Sequence, residues 1–154
     1  MEKRNKLHDY SLALIFLAIL DIFVLAGTVL AAYVSGTLQE ALVLNNPENL
    51  TSVKVMLVVF AGFMGLMMLA EVCVGLKGLK VSRTPSADKG YITVAKIFLI
   101  LSVIASVATF VGFFESTAYV DSAITFVNAV LDVIVYAMFI KLANAVRADA
   151  LLMK

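Results

Sequence analysis

A chain of 154 residues with 62% apolar side chains, 15% charged ones and a mean hydropathy of +1.01 has too little polar surface to cover a water-soluble fold, which carries about a quarter charged residues. Lipid is the implied solvent. The single cysteine, Cys73, excludes an intramolecular disulfide and any multi-cysteine metal cluster, and a formal net charge of +1 makes the placement of charges more informative than their sum.

Four apolar runs reach the length of about 20 residues that a bilayer demands of a helix. The first, about 11–34, follows the basic segment MEKRNK. It is too long for the hydrophobic region of a signal peptide, is interrupted by Asp21 and lacks an A-x-A-like cleavage site, so it is expected to stay as a span. The second run covers about 53–76. Ahead of it, NNPEN offers Asn46 as an N-cap, Pro47 at the first helical position and Glu48 near the positive end of the dipole. The third run, about 92–114, is preceded by SRTPSADKG, where Thr84 and Pro85 offer the same arrangement. The fourth covers about 122–140, and the tail KLANAVRADALLMK reads as its helical continuation. The expectation is all-α: one four-span transmembrane domain over residues 1–154, an up-down-up-down bundle.

Charge placement predicts its orientation. Lys3, Arg4 and Lys6 precede span 1; Lys77, Lys80, Arg83 and Lys89 lie between spans 2 and 3; Lys141, Arg147 and Lys154 follow span 4. Of the 12 basic residues only Lys54 and Lys96 fall outside these groups, and the opposite loops carry Glu40, Glu48, Glu115 and Asp121 instead. Both termini are expected in the cytoplasm, with the chain a multi-pass protein of a cell membrane, expected to be a prokaryotic cytoplasmic membrane. Lys77, Lys80, Arg83 and Lys89 are also candidates for holding anionic lipid headgroups, beside their simpler role in setting topology.

Within the apolar runs stand Asp21, Glu71, Lys96, Asn128 and Asp132. A charge at a span centre costs about 2.5–3.5 kcal/mol on insertion scales, so such groups turn to the bundle interior and find partners. Asp21 lies in LAILDIFVLAG and Asp132 in AVLDVIVYAM, an echo of the same LD context. At a rise of about 1.5 Å per residue they fall about 15 and 12 Å from the same boundary, which predicts two carboxylates meeting between helices 1 and 4. Glu71 and Lys96 lie shallower and are predicted to pair. Asn128, Asp132 and Tyr136 recur at steps of four on span 4; Ser11, Leu14, Ala18, Asp21 and Leu25 form a stripe on span 1. Gly62 and Gly65, followed by Gly75 and Gly78, and then Ser102, Ser106 and Gly112 are the small residues that let membrane helices approach.

Two functions use this pattern. The polar groups form an interhelical network that fixes register in a structural or partner-binding module, or they are a proton or cation site in a small transporter or channel subunit. The partners implied are the bilayer and another membrane protein or a second copy, with no nucleic acid. An enzyme is the least supported class: the one histidine, His8, lies at the membrane edge beside Asp9, no C-x-x-C exists, and no Gly-rich loop follows a strand. No metal and no cofactor are expected, because Met64, Met67, Met68 and Cys73 read as core filler before they read as copper ligands.

Overall fold

The computed structural model describes residues 2–34, 50–115 and 119–152, with side-chain surroundings at 2–27, 30, 58–111, 123 and 125–152. The described residues form four helices and the loop between the second and third: α1 (Glu2–Val34), α2 (Leu50–Arg83), α3 (Gly90–Glu115) and α4 (Tyr119–Leu152). All four are long and apolar enough to cross a membrane. Leucine, alanine and methionine supply helix propensity, and the many valines and isoleucines are tolerated because backbone hydrogen bonds satisfied within a helix are what lipid demands. Asn46, Pro47 and Glu48 lie outside the described residues.

Local chemistry sets the turn between α2 and α3. The Thr84 amide donates to the Lys80 carbonyl at 2.9 Å, so Thr84 closes α2; it does not cap α3 as its place before Pro85 suggested. Pro85 disfavours helical geometry at the residue before it, which ends α2 there. The cap of α3 is Asp88. Its Oδ1 accepts the Gly90 amide at 2.9 Å and its own amide donates to Ser86 Oγ at 3.2 Å, a side-chain-to-backbone pattern that satisfies a donor left open at a helix start. Arg147 on α4 holds this turn, donating from Nε to the Ala87 carbonyl at 2.8 Å.

The chain forms two compact units, one of Met1–Leu17 with Glu71–Lys154, the other Ala18–Ala70. In the first unit, α3 and α4 lie along one another, and their ring contacts give the direction. Tyr91 meets Phe139 edge to face at 6.1 Å, Phe98 stacks on Tyr136 at 5.8 Å, and Phe110 meets Phe126 at 5.5 Å. Residue numbers rise on one helix as they fall on the other, so the pair is antiparallel. The buried side chains cluster toward the end of this pair that faces the 84–89 turn: Tyr91, Ile92, Ala95 and Phe98 on α3, and Tyr136, Phe139, Ile140, Ala143 and Val146 on α4. Leu7, Ser11 and Leu14 of α1 and Val74 and Val81 of α2 are buried as well, the α1 set continuing the stripe expected from its three- and four-residue steps.

Glycine makes the α1–α2 approach in this unit. A Cβ at Gly75 would stand 2.5 Å from Cγ1 of Ile15 and 3.0 Å from the Ser11 carbonyl oxygen; one at Gly78 would run into Ser11 Oγ and lie 2.5 Å from a ring carbon of Phe139. No alanine fits either place without displacing a neighbour, and Ser11, itself fully buried, turns its hydroxyl back to the Leu7 carbonyl at 2.6 Å. This is small-residue packing of the kind by which membrane helices associate.

Candidate functional site

The polar groups of the spans separate into three settings. In the first unit the Tyr136 hydroxyl, on a side chain 1% exposed, donates to Oε1 of Glu71. The ring of Phe98 covers the phenol from α3, so one helix supplies the donor, a second the acceptor and a third the apolar lid. Glu71 is half-buried. A phenol–carboxylate hydrogen bond is charge-assisted and gains strength where water is scarce. Phe98 carried no polar signal, and nothing in its own residue type marked it as part of this site.

The expected ion pair between Glu71 and Lys96 is not formed among the described residues. The helical wheel of α3 gives the reason: its packed face runs through Tyr91, Ile92, Ala95 and Phe98, while Lys96 projects about a quarter-turn away and is exposed. The carboxylate takes a neutral donor from α4 in place of the ammonium.

Asp132 lies one turn from Tyr136 on the same face of α4 and is half-buried; Asn128, a further turn along, is exposed. Their stripe is continuous in sequence but leaves the packed end before it reaches Asn128. Asp21 is half-buried on α1 and belongs to the other compact unit.

The small residues of the spans also divide. Ser102 and Ser106 are half-buried, and Ser106 donates to the Ser102 carbonyl at 2.8 Å while Thr109 donates to the Ser106 carbonyl at 3.0 Å. These hydroxyls return to their own helix, the usual outlet for a mid-helix serine or threonine. Gly62 and Gly65 have open space where a Cβ would stand, with nothing within 4 Å among the described residues. The close approaches occur at Gly75 and Gly78. Gly112 lies in α3 outside the residues whose surroundings are described.

At the other polar level, near the helix ends, Lys77, Lys3, Lys6 and Arg4 are each engaged. Lys77 pairs with Asp88 at 3.2 Å, Lys3 with Asp149 at 3.2 Å, and Lys6 with Glu2 at 2.7 Å. Arg4 donates from Nε to the Ser82 carbonyl at 2.7 Å and from its terminal nitrogen to the Arg83 carbonyl, so a guanidinium satisfies the last carbonyls of α2 and meets the negative end of its dipole. Lys80 and Lys89 are exposed. Of the four residues expected to hold a headgroup, Arg83 alone lines the cleft of about 310 Å³ that opens here between α1 and α2, together with Arg4, Asn5, His8 and Ser82. The N-terminal residues were missed because their approach to Arg83 depends on how α1 and α2 pack, which no local pattern encodes. Among the described residues no group of three or more His, Cys, Asp and Glu side chains is arranged to hold a metal ion.

Comparison of the chain with protein-family models, curated proteins and solved structures finds no match.

Proposed function

We propose that this chain is a four-span membrane module, an up-down-up-down bundle with both termini on the basic, cytoplasmic side of a cell membrane, and that its role is structural or partner-binding. The observation that carries the reading is the Tyr136–Glu71 hydrogen bond. It ties α4 to α2 and gives a carboxylate at span depth a protein partner, which is what a register-fixing network does. The Ser106 and Thr109 hydroxyls of α3 return to carbonyls of their own helix. The antiparallel α3–α4 pair and the grouping of basic residues support alternating helix directions and the orientation. In this role the residues meet lipid and a second membrane protein or copy of the chain, and none carries out catalysis.

A second reading, a proton- or cation-coupled transporter or channel subunit, is favoured by one feature: Glu71, Tyr136 and Asp132 share one compact unit, and ionisable groups at span depth mark ion and proton pathways. In that reading Asp21 and Asp132 are the carboxylates that take up the proton or cation. Reconstitution separates the two. The module predicts no movement of protons, Na⁺ or K⁺ down an imposed gradient, and folded, phenotype-neutral Asp21→Asn, Asp132→Asn and Glu71→Gln variants. Flux that these amides abolish, in protein that stays folded, overturns the structural reading in favour of transport.

A further inference from the structure

We infer that the cleft lined by Arg4, Asn5, His8, Ser82 and Arg83 binds a phosphate-bearing anion, either the headgroup of an anionic lipid or a free phosphate. Its lining holds two guanidiniums and no carboxylate. The acids nearest in sequence are engaged or turned outward: Glu2 is held by Lys6, and Asp9 lies alongside His8 at 3.5 Å with its own side chain 75% exposed. The cleft therefore concentrates positive charge without an internal counter-ion.

The two arginines contribute differently. Arg4 spends two N–H groups on the Ser82 and Arg83 carbonyls. A helix C-terminus repels an anion, and this cap offsets that repulsion while leaving three of the five guanidinium hydrogens. Arg83 is exposed, and its side chain makes no hydrogen bond or ion pair among the described residues; the structure uses only its carbonyl. Its planar fork is the group that grips phosphate bidentately. Asn5 adds an amide donor. A volume of about 310 Å³ is at the small end of ligand clefts, right for a phosphate with a short substituent. The cleft also flanks the ends of two apolar helices, the level at which headgroups lie. Lys77, by contrast, is neutralised by Asp88.

The test uses the full chain in nanodiscs and reads the thermal-unfolding midpoint, with apparent affinity taken from its dependence on anion content. One arm adds phosphatidylglycerol to phosphatidylcholine; the other keeps phosphatidylcholine alone and replaces chloride by inorganic phosphate at equal ionic strength. The midpoint is expected to rise in at least one arm, and the arm in which it rises names the source. Arg83→Gln, which removes no hydrogen bond or ion pair among the described residues, is expected to weaken the apparent affinity about fivefold. Lys141→Gln, the loss of an equal charge outside the cleft, leaves it unchanged. A midpoint unmoved in both arms overturns the site. So does an equal loss from the two variants, which would mean diffuse attraction of a basic surface to anions. The outcome is independent of whether the chain transports ions, so the failure of one reading does not entail the failure of the other.

Discussion

The two ends of the α3–α4 pair are built on different principles. At the end facing the 84–89 turn, Phe139 is wholly buried, Tyr136 is 1% exposed and Ala95 has no exposed surface. Toward the other end Ile104 and Val107 are each 60% exposed, and Val127 is 53% exposed. Water would not tolerate the second arrangement over so many residues, whereas lipid tails are as apolar as a leucine and exert no such pressure. At the turn end aromatic rings, glycines and a hydrogen bond interlock the helices, whereas toward the other end the Phe110–Phe126 contact stands among exposed apolar side chains.

The sharpest way to test that difference is to add volume at each kind of site. Gly78→Val drives a branched side chain into Ser11 and Phe139 and is expected to cost about 3 kcal/mol, the upper end of overpacking in a tight core. Gly62→Val enters open space and is expected to change stability by less than about 0.5 kcal/mol, as at an ordinary surface site. Denaturation in mixed micelles measures both. Equal losses would mean that the packed end is not where the bundle is held together.

Next in size is the polar tie. Tyr136→Phe removes the donor and leaves the Glu71 carboxylate half-buried without it, an expected loss of about 1–3 kcal/mol. Glu71→Gln retains a carbonyl oxygen that accepts from the phenol and is expected to lose less. The reverse order would show that the charge of Glu71, and not its hydrogen bond, is what the fold depends upon. Tyr91 provides the contrast. Its hydroxyl is buried without a hydrogen-bond partner among the described residues, so Tyr91→Phe relieves a desolvated polar group while keeping the edge-to-face contact with Phe139. Stability is expected to hold or to rise by up to about 1 kcal/mol. Two tyrosines one packing layer apart thus have opposite signs under the same substitution.

Those tyrosines also show what the sequence could and could not say. Four apolar runs, the stripe Ser11–Leu14–Ala18 and the continuation of the fourth helix past Ile140 were legible because span length and helical period are local properties. Tyr136 was legible as the third member of a four-residue repeat. Its partner was not. A carboxylate at span depth advertises its need for a partner, and Lys96 was the obvious one by charge and by depth, but the pairing is decided by which face of α3 packs inward, and the face belongs to Tyr91 and Phe98. The same limit explains Gly75 and Gly78. In sequence they look like Gly62 and Gly65, and only the neighbours brought by α1 and α4 separate the two pairs. The cap of α3 was mislocated for a local reason: Thr84-Pro85 and Ser86-x-Asp88 both satisfy capping rules, and the aspartate prevailed because it has the Gly90 amide and the Lys77 ammonium to bind at once.

That double engagement gives the smallest expected effect, and its sign is fixed. The Gly90 amide first, and the Lys77 ammonium after it, hold the Asp88 carboxyl below its ordinary value of 3.8. The folded chain therefore binds this proton less readily than the unfolded chain does. The contribution of Asp88 is fully present above its unfolded value and is lost as pH falls through the lower folded one. Stability should be flat from neutrality to about pH 5 on this account and should decline below about pH 4. Asp88→Asn retains a carbonyl to cap Gly90 but cannot titrate, so its unfolding midpoint should fall less than that of the natural chain as the pH drops below about 4. The carboxylate is exposed to solvent, and salt should shrink the difference further. If the two proteins lose stability in parallel on acidification, the turn between α2 and α3 is held by Pro85 and the Arg147–Ala87 bond, and the charge at its centre is incidental to the packed end.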